Sequence, residues 1–275
     1  MTRIAVLQMT SGIDPERNAA DMVCAAEQSA KGGATVLFTP EMSGLLDRDR
    51  ERCGEHVVHE GHDVALRAMQ DSAREHGIWI AIGSLAVERE DGKWANRAFV
   101  IDAQGEIAAR YDKLHMFDAQ LDSGETWRES AAYAAGDRLV TVDTPAGRLG
   151  LTICYDIRFP ALYDALGRRQ CDIVAIPAAF TFPTGQAHWK VLARARAIEC
   201  SAYVVAAAQA GTHEDGRTTY GHSLVVDPWG EVLIELGGDA PDLAFAEIDP
   251  ARIAKVRRQV PSLENKQLIP NWDSQ

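Results

Sequence analysis

The sequence lacks the long apolar run that a membrane span or a secretory signal requires. Its N-terminal stretch RIAVLQM holds about five consecutive apolar residues, whereas a membrane-spanning helix needs about 20. Polar residues return at once in TSGIDPERN. We therefore expect neither a targeting segment nor a membrane partner, and we expect a cytoplasmic protein.

Positive charge is also scarce, because 28 Lys and Arg residues stand against 40 Asp and Glu residues, which gives a net charge of −12. Such an acidic balance argues against a nucleic-acid partner and against an anionic membrane surface. It does not exclude a small anionic substrate, because a local pocket of Lys and Arg can exist on an acidic protein.

Paired cysteine motifs are absent as well. The five cysteines, at positions 24, 53, 154, 171 and 200, are odd in number and include no CxxC pair. They predict neither a disulfide framework nor a zinc site, so we expect a reducing compartment and no metal. Three of them, Cys24, Cys171 and Cys200, fall in apolar patterns where burial is the expected role of a cysteine.

Short β-rich runs alternate with helical patterns almost to the C-terminus, and no linker, low-complexity segment or repeat interrupts them. The alternation predicts an α/β layered sandwich in a single domain over residues 1–275. Segment 256–275 is polar with scattered apolar residues, which is typical of an arm over a neighbouring subunit or of a frayed end. Helices are predicted at 16–31, 62–76, 160–170 and 185–202.

Three chemically active residues stand where apolar strands end. Glu41 follows TVLFTP, Lys113 follows EIAARYD, and Cys154 ends the run LGLTI. A thiol needs a proton acceptor or a positive field to attack at neutral pH, and a partly desolvated glutamate can supply the acceptor. A buried ammonium can stabilise the oxyanion of a reacting carbonyl. Taken singly, each residue is equally consistent with an ordinary packing or surface role.

Taken together, the motifs FTPEM, YDKLHMFD and ICYDIRFPALY resemble those of the nitrilase superfamily of carbon–nitrogen hydrolases. The resemblance extends from RIAVLQM to VVDPWGEV. It implies a four-layer αββα sandwich, a Glu41–Lys113–Cys154 triad, and amide hydrolysis through a thioester without metal or organic cofactor. It further implies that Glu129 assists Lys113, and that the backbone N–H of Tyr155 joins Lys113 in binding the oxyanion.

The stretch from PAAFTFPTGQAHW to GHSLVVDPWG resembles the Nit branch, the deaminated glutathione amidases. That resemblance implies a keto-acid amide substrate hydrolysed to 2-oxoglutarate and cysteinylglycine, and a homodimer or larger homo-oligomer. Arg158 is a candidate for a substrate carboxylate, or alternatively for bracing the nucleophile turn. The other candidate substrate contacts are Phe117, Phe180, Thr181, Thr184 and His188.

Other functions remain open from the residues alone. An ω-amidase acting on 2-oxoglutaramate shares the TGxAHW and GHS patterns. An N-carbamoyl or aliphatic amide hydrolase, a true nitrilase, and a papain-like pair of Cys154 with His188 or His222 are further alternatives. A catalytically inactive interaction module is disfavoured, because such a module has no need of the three triad residues.

Overall fold

The computed structural model describes residues 1–120, 124 and 126–267, in which strands and helices alternate along the chain. The helices are α1 (Pro15–Lys31), α2 (Arg50–Gly54), α3 (Val64–His76), α4 (Pro160–Arg168), α5 (Phe182–Cys200) and α6 (Pro250–Gln259). The strands are β1 (Thr2–Gln8), β2 (Val36–Phe38), β3 (Trp79–Glu88), β4 (Trp94–Ile101), β5 (Ile107–Asp112), β6 (Asp118–Gln120), β7 (Thr126–Arg128), β8 (Thr141–Thr144), β9 (Gly147–Leu151), β10 (Ile173–Ala175), β11 (Tyr203–Ala206), β12 (Ala210–Thr212), β13 (Thr218–Tyr220), β14 (Leu224–Val226), β15 (Val232–Glu235) and β16 (Asp242–Ile248).

Two six-stranded sheets organise the fold. The first has the strand order β16-β1-β2-β3-β4-β5, and the second has the order β15-β14-β11-β10-β9-β8. In each sheet three central strands are parallel, and the flanking strands are antiparallel. The carboxyl ends of β2 and β3 therefore meet at one edge of the first sheet, and those of β9 and β10 meet at one edge of the second.

Alternation of side chains along β1 shows how the layers stack. Ile4 and Val6 pack into the core shared with the second sheet, whereas Ala5 and Leu7 pack against α1 and α3. This is the period of two that a strand imposes when both of its faces are buried. Helices α4 and α5 bury their apolar side chains against the second sheet. The predicted αββα sandwich is therefore confirmed.

Helix boundaries follow from capping residues that the sequence contains. The Asp14 side chain accepts from the N–H groups of Glu16 and Arg17, and Pro15 occupies the first turn of α1. The Asp63 side chain caps α3 by accepting from the Leu66 N–H, and Gly77 ends that helix at φ +62°. These are the residue types that helix ends favour.

Some local predictions differ from the structure. Helix α5 begins at Phe182 rather than at 185, so Thr184 belongs to its first turn and not to a loop. Cys24 is exposed, contrary to expectation, because it lies on the face of α1 opposite to Met22 and Ala26. Cys171 and Cys200 are buried as predicted. Residues 268–275 of the predicted arm lie outside the described residues, and the part from 256 to 259 belongs to α6.

Candidate active site

The three predicted triad residues converge on one cavity at the strand ends. Glu41 follows β2 and Lys113 follows β5 of the first sheet, while Cys154 follows β9 of the second. All three are buried, with exposed fractions of 5 %, 2 % and 9 %. With Glu129 they line a cavity of about 380 Å³. The fold thus brings together residues that are far apart in the sequence.

The backbone at Cys154 adopts an unusual conformation, with φ +46°. Few residues other than glycine occupy this left-handed region, and those that do often belong to functional sites. Its N–H donates to the carbonyl of Pro177 at 2.8 Å, which ties the nucleophile turn to the loop after β10. A 3-10 turn spans Cys154–Arg158, and α4 begins only at Pro160. Helix α4 thus begins at the predicted residue, and the 3-10 turn separates its N-terminus from Cys154.

Lys113 holds two carboxylates together. Its Nζ donates to Glu41 Oε1 at 2.9 Å and to Glu129 Oε2 at 2.9 Å. Asn96 Nδ2 bridges the same pair, at 2.9 Å from Glu41 Oε1 and 3.0 Å from Glu129 Oε1. The Phe117 N–H donates to Glu129 Oε2 at 2.6 Å. Both carboxylates, Glu41 and Glu129, thus have fixed donors, which preorganises the group.

The pKa values of the triad are shifted in directions that set its resting state. Burial acts to raise the pKa of Glu41, but the Lys113 charge and hydrogen bonds outweigh it and hold that pKa below its ordinary value. Burial and the Glu41 charge raise the pKa of the Cys154 thiol well above its usual range. Burial opposes the charge on Lys113, yet Glu129 and Glu41 keep its pKa well above the usual range. The resting triad is therefore a carboxylate, an ammonium and a neutral thiol.

This combination suits nucleophilic chemistry on a carbonyl group. A neutral thiol beside an ionised carboxylate can lose its proton as it attacks, so that no free thiolate needs to be stabilised beforehand. The Ala179 N–H donates to Glu41 Oε2 at 2.9 Å, and Gln209 Nε2 donates to the Glu41 carbonyl oxygen at 3.0 Å. Both contacts orient the carboxylate and fix the backbone that carries it.

The remaining predicted residues occupy two places. Phe117 and Thr181 line the cavity, and Tyr155 directly follows Cys154. Arg158 donates from Nη1 toward His188 Nδ1 at 3.1 Å, and its guanidinium lies 5.3 Å from the centre of the Phe180 ring.

Several of these candidates are absent from the cavity wall. Arg158, Phe180, Thr184 and His188 are not among the described residues that line the cavity, and neither is His222 of the papain-like alternative. Thr184 instead exchanges a hydrogen bond with Thr181 at 2.7 Å.

Two buried polar residues near the cavity, Asn96 and Asp156, were not among the predicted site residues. Asn96 in WANRAFV bridges Glu41 and Glu129, and Asp156 accepts from the Tyr111 hydroxyl at 2.6 Å and from the Ile153 N–H at 2.9 Å. A polar residue inside a run predicted as a buried strand is the signal that would have singled out Asn96, because such a group must find partners.

The described part of the chain contains neither a metal-binding cluster nor a membrane-spanning helix. No group of three or more His, Cys, Asp or Glu side chains there is arranged to hold a metal ion. Likewise, none of the described helices combines the length and apolar character needed to cross a membrane.

Comparison with known proteins identifies the family. The carbon-nitrogen hydrolase model matches residues 3–258 of the chain. The chain belongs to the carbon-nitrogen hydrolase family. It is therefore a hydrolase of carbon–nitrogen amide bonds, as the three motifs predicted. It is also 38 % identical over 275 residues to the deaminated glutathione amidase of Yersinia enterocolitica, covering 97 % of this chain and 93 % of that protein. The predicted resemblance to the Nit branch is thereby confirmed.

Solved structures agree with this assignment. The Caenorhabditis elegans NitFhit protein matches with a TM-score of 0.88 at 36 % identity, over 97 % of this chain and 65 % of that longer chain. A mutant of the amidase from Nesterenkonia sp. AN1 matches with a TM-score of 0.79 at 27 % identity, over 95 % of this chain and 98 % of that chain. In that amidase, acrylamide has added to the active-site cysteine.

Proposed function

We propose that the protein hydrolyses deaminated glutathione to 2-oxoglutarate and cysteinylglycine, with Cys154 as the nucleophile. The convergence of Cys154, Glu41 and Lys113 in one buried cavity is the observation that carries the chemistry. The relatives named deaminated glutathione amidase support the substrate. The acrylamide adduct on the active-site cysteine of the Nesterenkonia amidase supports the nucleophile.

In the first half of the reaction, the Cys154 sulfur attacks the amide carbonyl while Glu41 takes the thiol proton. Lys113 and the Tyr155 N–H stabilise the oxyanion of the tetrahedral intermediate, which is worth about 3–4 kcal/mol per donor in comparable sites. The carbon–nitrogen bond then breaks, and Glu41 passes its proton to the departing nitrogen. The product that leaves is the free amine, and the acyl group remains on sulfur as a thioester.

In the second half, Glu41 takes a proton from a water molecule that attacks the thioester carbonyl. The carbon–sulfur bond breaks, the acid is released, and the proton returns to the Cys154 sulfur. Glu129 serves both halves by holding Lys113, and Phe117 and Thr181 contact the bound substrate from the cavity wall. Dividing one difficult hydrolysis into two acyl transfers lowers the barrier of each step.

Product analysis on two substrates tests this proposal, with Cys154→Ala protein as the blank. Deaminated glutathione and 2-oxoglutaramate both yield 2-oxoglutarate, but only the second releases ammonia. We expect a large kcat/KM preference for deaminated glutathione and no turnover by Cys154→Ala protein that remains folded. A preference for 2-oxoglutaramate would instead identify an ω-amidase, and persistent turnover by Cys154→Ala would overturn the nucleophile assignment.

The cellular setting is part of the same proposal. The protein acts in the cytoplasm, because its unpaired pattern of cysteines suits a reducing compartment. The chain forms one domain and assembles as a homodimer or larger homo-oligomer. The apolar side chains of Val191 and Ile198 on α5 are exposed, and so is that of Trp229 in the turn before β15. Exposed apolar side chains of this size support such an assembly. Sedimentation velocity on the whole chain measures the oligomeric state directly.

A further inference from the structure

Four arginines surround the cavity that holds the triad. Arg48, Arg50, Arg128 and Arg217 all contribute to its lining. On a chain of net charge −12, such a concentration of positive charge is local and needs a reason. Glu41 and Glu129 do not need these arginines as partners, because Lys113 already donates to both carboxylates.

The cavity wall also contains a buried hydrogen-bond donor without an acceptor in the described part of the chain. The indole Nε1 of Trp127 is buried, and it has no hydrogen-bond partner among the described residues. Trp127 lines the cavity, and the Arg217 guanidinium lies 5.3 Å from the centre of its ring. Indole N–H can only donate, and leaving a buried donor unpaired costs about 1–3 kcal/mol. An acceptor atom of a ligand would remove that cost.

The acidic residues near this wall are already engaged. Asp215, whose side chain is fully buried, accepts from Arg217 Nε at 2.6 Å and from the Arg48 N–H at 2.9 Å. Asp47 accepts from Arg52 through both of its oxygens, at 2.6 and 2.8 Å. Asp215 therefore fixes Arg217 through Nε, and the two terminal nitrogens of a guanidinium held this way can bind a second, planar carboxylate.

The order of the chemical steps decides which part of the substrate meets these arginines. The amine half must depart while the acyl half is still bonded to Cys154, so the amine half lies toward the open end of the cavity. Arg48 is half exposed, whereas Lys113 and Glu41 are buried. Arg48 therefore lies at the open end, where the departing half is bound, and Arg217, whose side chain is 14 % exposed, contacts the same Asp215 carboxylate.

We propose that Arg217, Arg48 and the Trp127 indole N–H form a subsite for the carboxylate of the leaving amine. This inference rests on the proposed function, in which the leaving amine is a dipeptide that ends in a carboxylate. The subsite selects amides whose leaving half carries a terminal carboxylate over simple amides that release ammonia. Arg50 and Arg128 add positive charge around it.

Wild-type protein and a matched substrate pair test the subsite without any substitution. The pair is deaminated glutathione and its C-terminal carboxamide, which differ only in the terminal group: the amide is neutral and replaces one acceptor oxygen by an NH2 donor. We expect kcat/KM to fall about 10–100-fold for the carboxamide, mainly through a higher KM, as the loss of a charge-assisted bidentate contact predicts. Equal kcat/KM for the two substrates would overturn the subsite.

Substitutions then assign the effect to residues. Arg217→Gln and Arg48→Gln should lower kcat/KM for the carboxylate substrate and leave that for the carboxamide nearly unchanged. Trp127→Phe, which keeps the ring and removes the N–H, should show the same selectivity with a smaller loss. Arg138→Gln is the matched control, because that side chain is 78 % exposed and lies outside the cavity lining. An equal loss on both substrates would assign these residues a structural role and overturn the proposal.

Two features of the design keep the outcomes separate. Arg217→Gln leaves the buried Asp215 with fewer donors and can unfold the protein, and Arg48→Gln then carries the test, because its side chain is half exposed. Binding of both substrates to Cys154→Ala protein is measured by calorimetry, independently of turnover. Tighter binding of the carboxylate form without wild-type turnover would sustain the subsite and refute the proposed function, whereas turnover without discrimination would do the reverse.

Discussion

The Tyr111 hydroxyl donates to Asp156 Oδ2 at 2.6 Å, which joins the strand before Lys113 to the turn that carries Cys154. The same carboxylate accepts from the His115 N–H at 3.1 Å and from the Ile153 N–H at 2.9 Å. Asp156 is fully buried, so these hydrogen bonds form in a low-dielectric interior. Asp156 therefore links the segment that carries Lys113 to the turn that carries Cys154, and we infer that it helps to fix the distance between these two side chains.

Asp156→Asn tests this link. The asparagine side chain has the same shape but only one acceptor oxygen, where the Asp156 carboxylate has two. Its NH2 group must therefore face one or more of the Tyr111, His115 and Ile153 donors, which then lose their acceptor. We expect a loss of about 1–3 kcal/mol in the free energy of unfolding per unsatisfied donor, and a lower kcat. Denaturant unfolding and steady-state kinetics measure the two effects. Tyr111→Phe is the milder companion and should cost about 1 kcal/mol; an unchanged kcat in both variants would refute the positioning role.

Gly83 provides a second point of contact between the sheets. A Cβ added there would lie 2.2 Å from the Thr39 carbonyl oxygen, 2.4 Å from the Pro40 carbonyl oxygen and 2.5 Å from Pro177 Cβ. Those segments lead to Glu41 and hold the Cys154 N–H. We expect Gly83→Ala to destabilise the protein by about 1–3 kcal/mol through overpacking, and to lower kcat by displacing Glu41 and Cys154.

Gly237→Ala is the control for that substitution, because an added Cβ at Gly237 would contact nothing within 4 Å. Its free energy of unfolding and its kcat should stay close to those of the wild type. If Gly83→Ala proved as stable and as active as Gly237→Ala, the two strand ends would not depend on that close approach.

Much of the fold and the triad could be predicted from sequence because the signals are local. Asp14, Asp63 and Gly77 mark helix ends through their own capping preferences, and the capped helices appear in the structure near the predicted bounds. Glu41 and Cys154 attract notice because each interrupts an apolar strand with a reactive group. Such residues can be recognised in a sequence without knowing which residues pack against them.

The arginines that line the cavity could not be predicted in this way. Arg48 and Arg217 are far apart in the sequence. Arg48 lies in the alternating-charge run DRDRER and Arg217 in the polar stretch HEDGRTT, and both patterns are typical of a solvated loop. Arg217 is only two residues from Asp215, but the fold is needed to bring Arg48 to the same carboxylate. Asn96 leaves one local signal, a polar residue within a predicted strand, but its bridging role depends on two carboxylates from other segments. A residue such as Arg48, whose partners are distant in the sequence, leaves no local pattern from which its role could be predicted.

Lys113 is predicted to support stability and catalysis through one ammonium. Lys113→Ala leaves Glu41 and Glu129 facing each other in a buried site without their shared cation, so we expect a loss of about 3–5 kcal/mol in the free energy of unfolding. The loss of an oxyanion donor should also lower kcat by about 10²–10³-fold. Denaturant unfolding and single-turnover kinetics measure these quantities.

The double variant Lys113→Ala/Glu129→Gln separates the two effects. Removing one of the two carboxylate charges should restore part of the stability, because the like-charge repulsion at the site disappears. It should not restore kcat, since the ammonium is still missing. Recovery of activity together with stability would show that Lys113 acts only as a structural cation.

The pH dependence of kcat/KM follows from the shifted pKa values of the triad. Because the pKa of Glu41 lies below its ordinary value in the folded protein, its carboxylate stays ionised and able to accept a proton at mildly acidic pH. The stability that it contributes is present above its unfolded pKa and is lost as the pH falls through the folded pKa. Lys113, with its raised pKa, stays charged into the alkaline range.

The raised pKa of the Cys154 thiol determines how kcat/KM should depend on pH above neutrality. A free thiol ionises near pH 8.5, so an enzyme whose free thiolate is the attacking species would gain activity through that pH. Here Glu41 removes the proton during attack, and kcat/KM should stay flat from neutral pH through about 8.5. Thiolate ultraviolet absorbance, measured against Cys154→Ala protein, should likewise show no titration there. A rise in kcat/KM and absorbance together, with one midpoint near pH 8.5, would contradict the neutral resting thiol and with it the role of Glu41 as the general base.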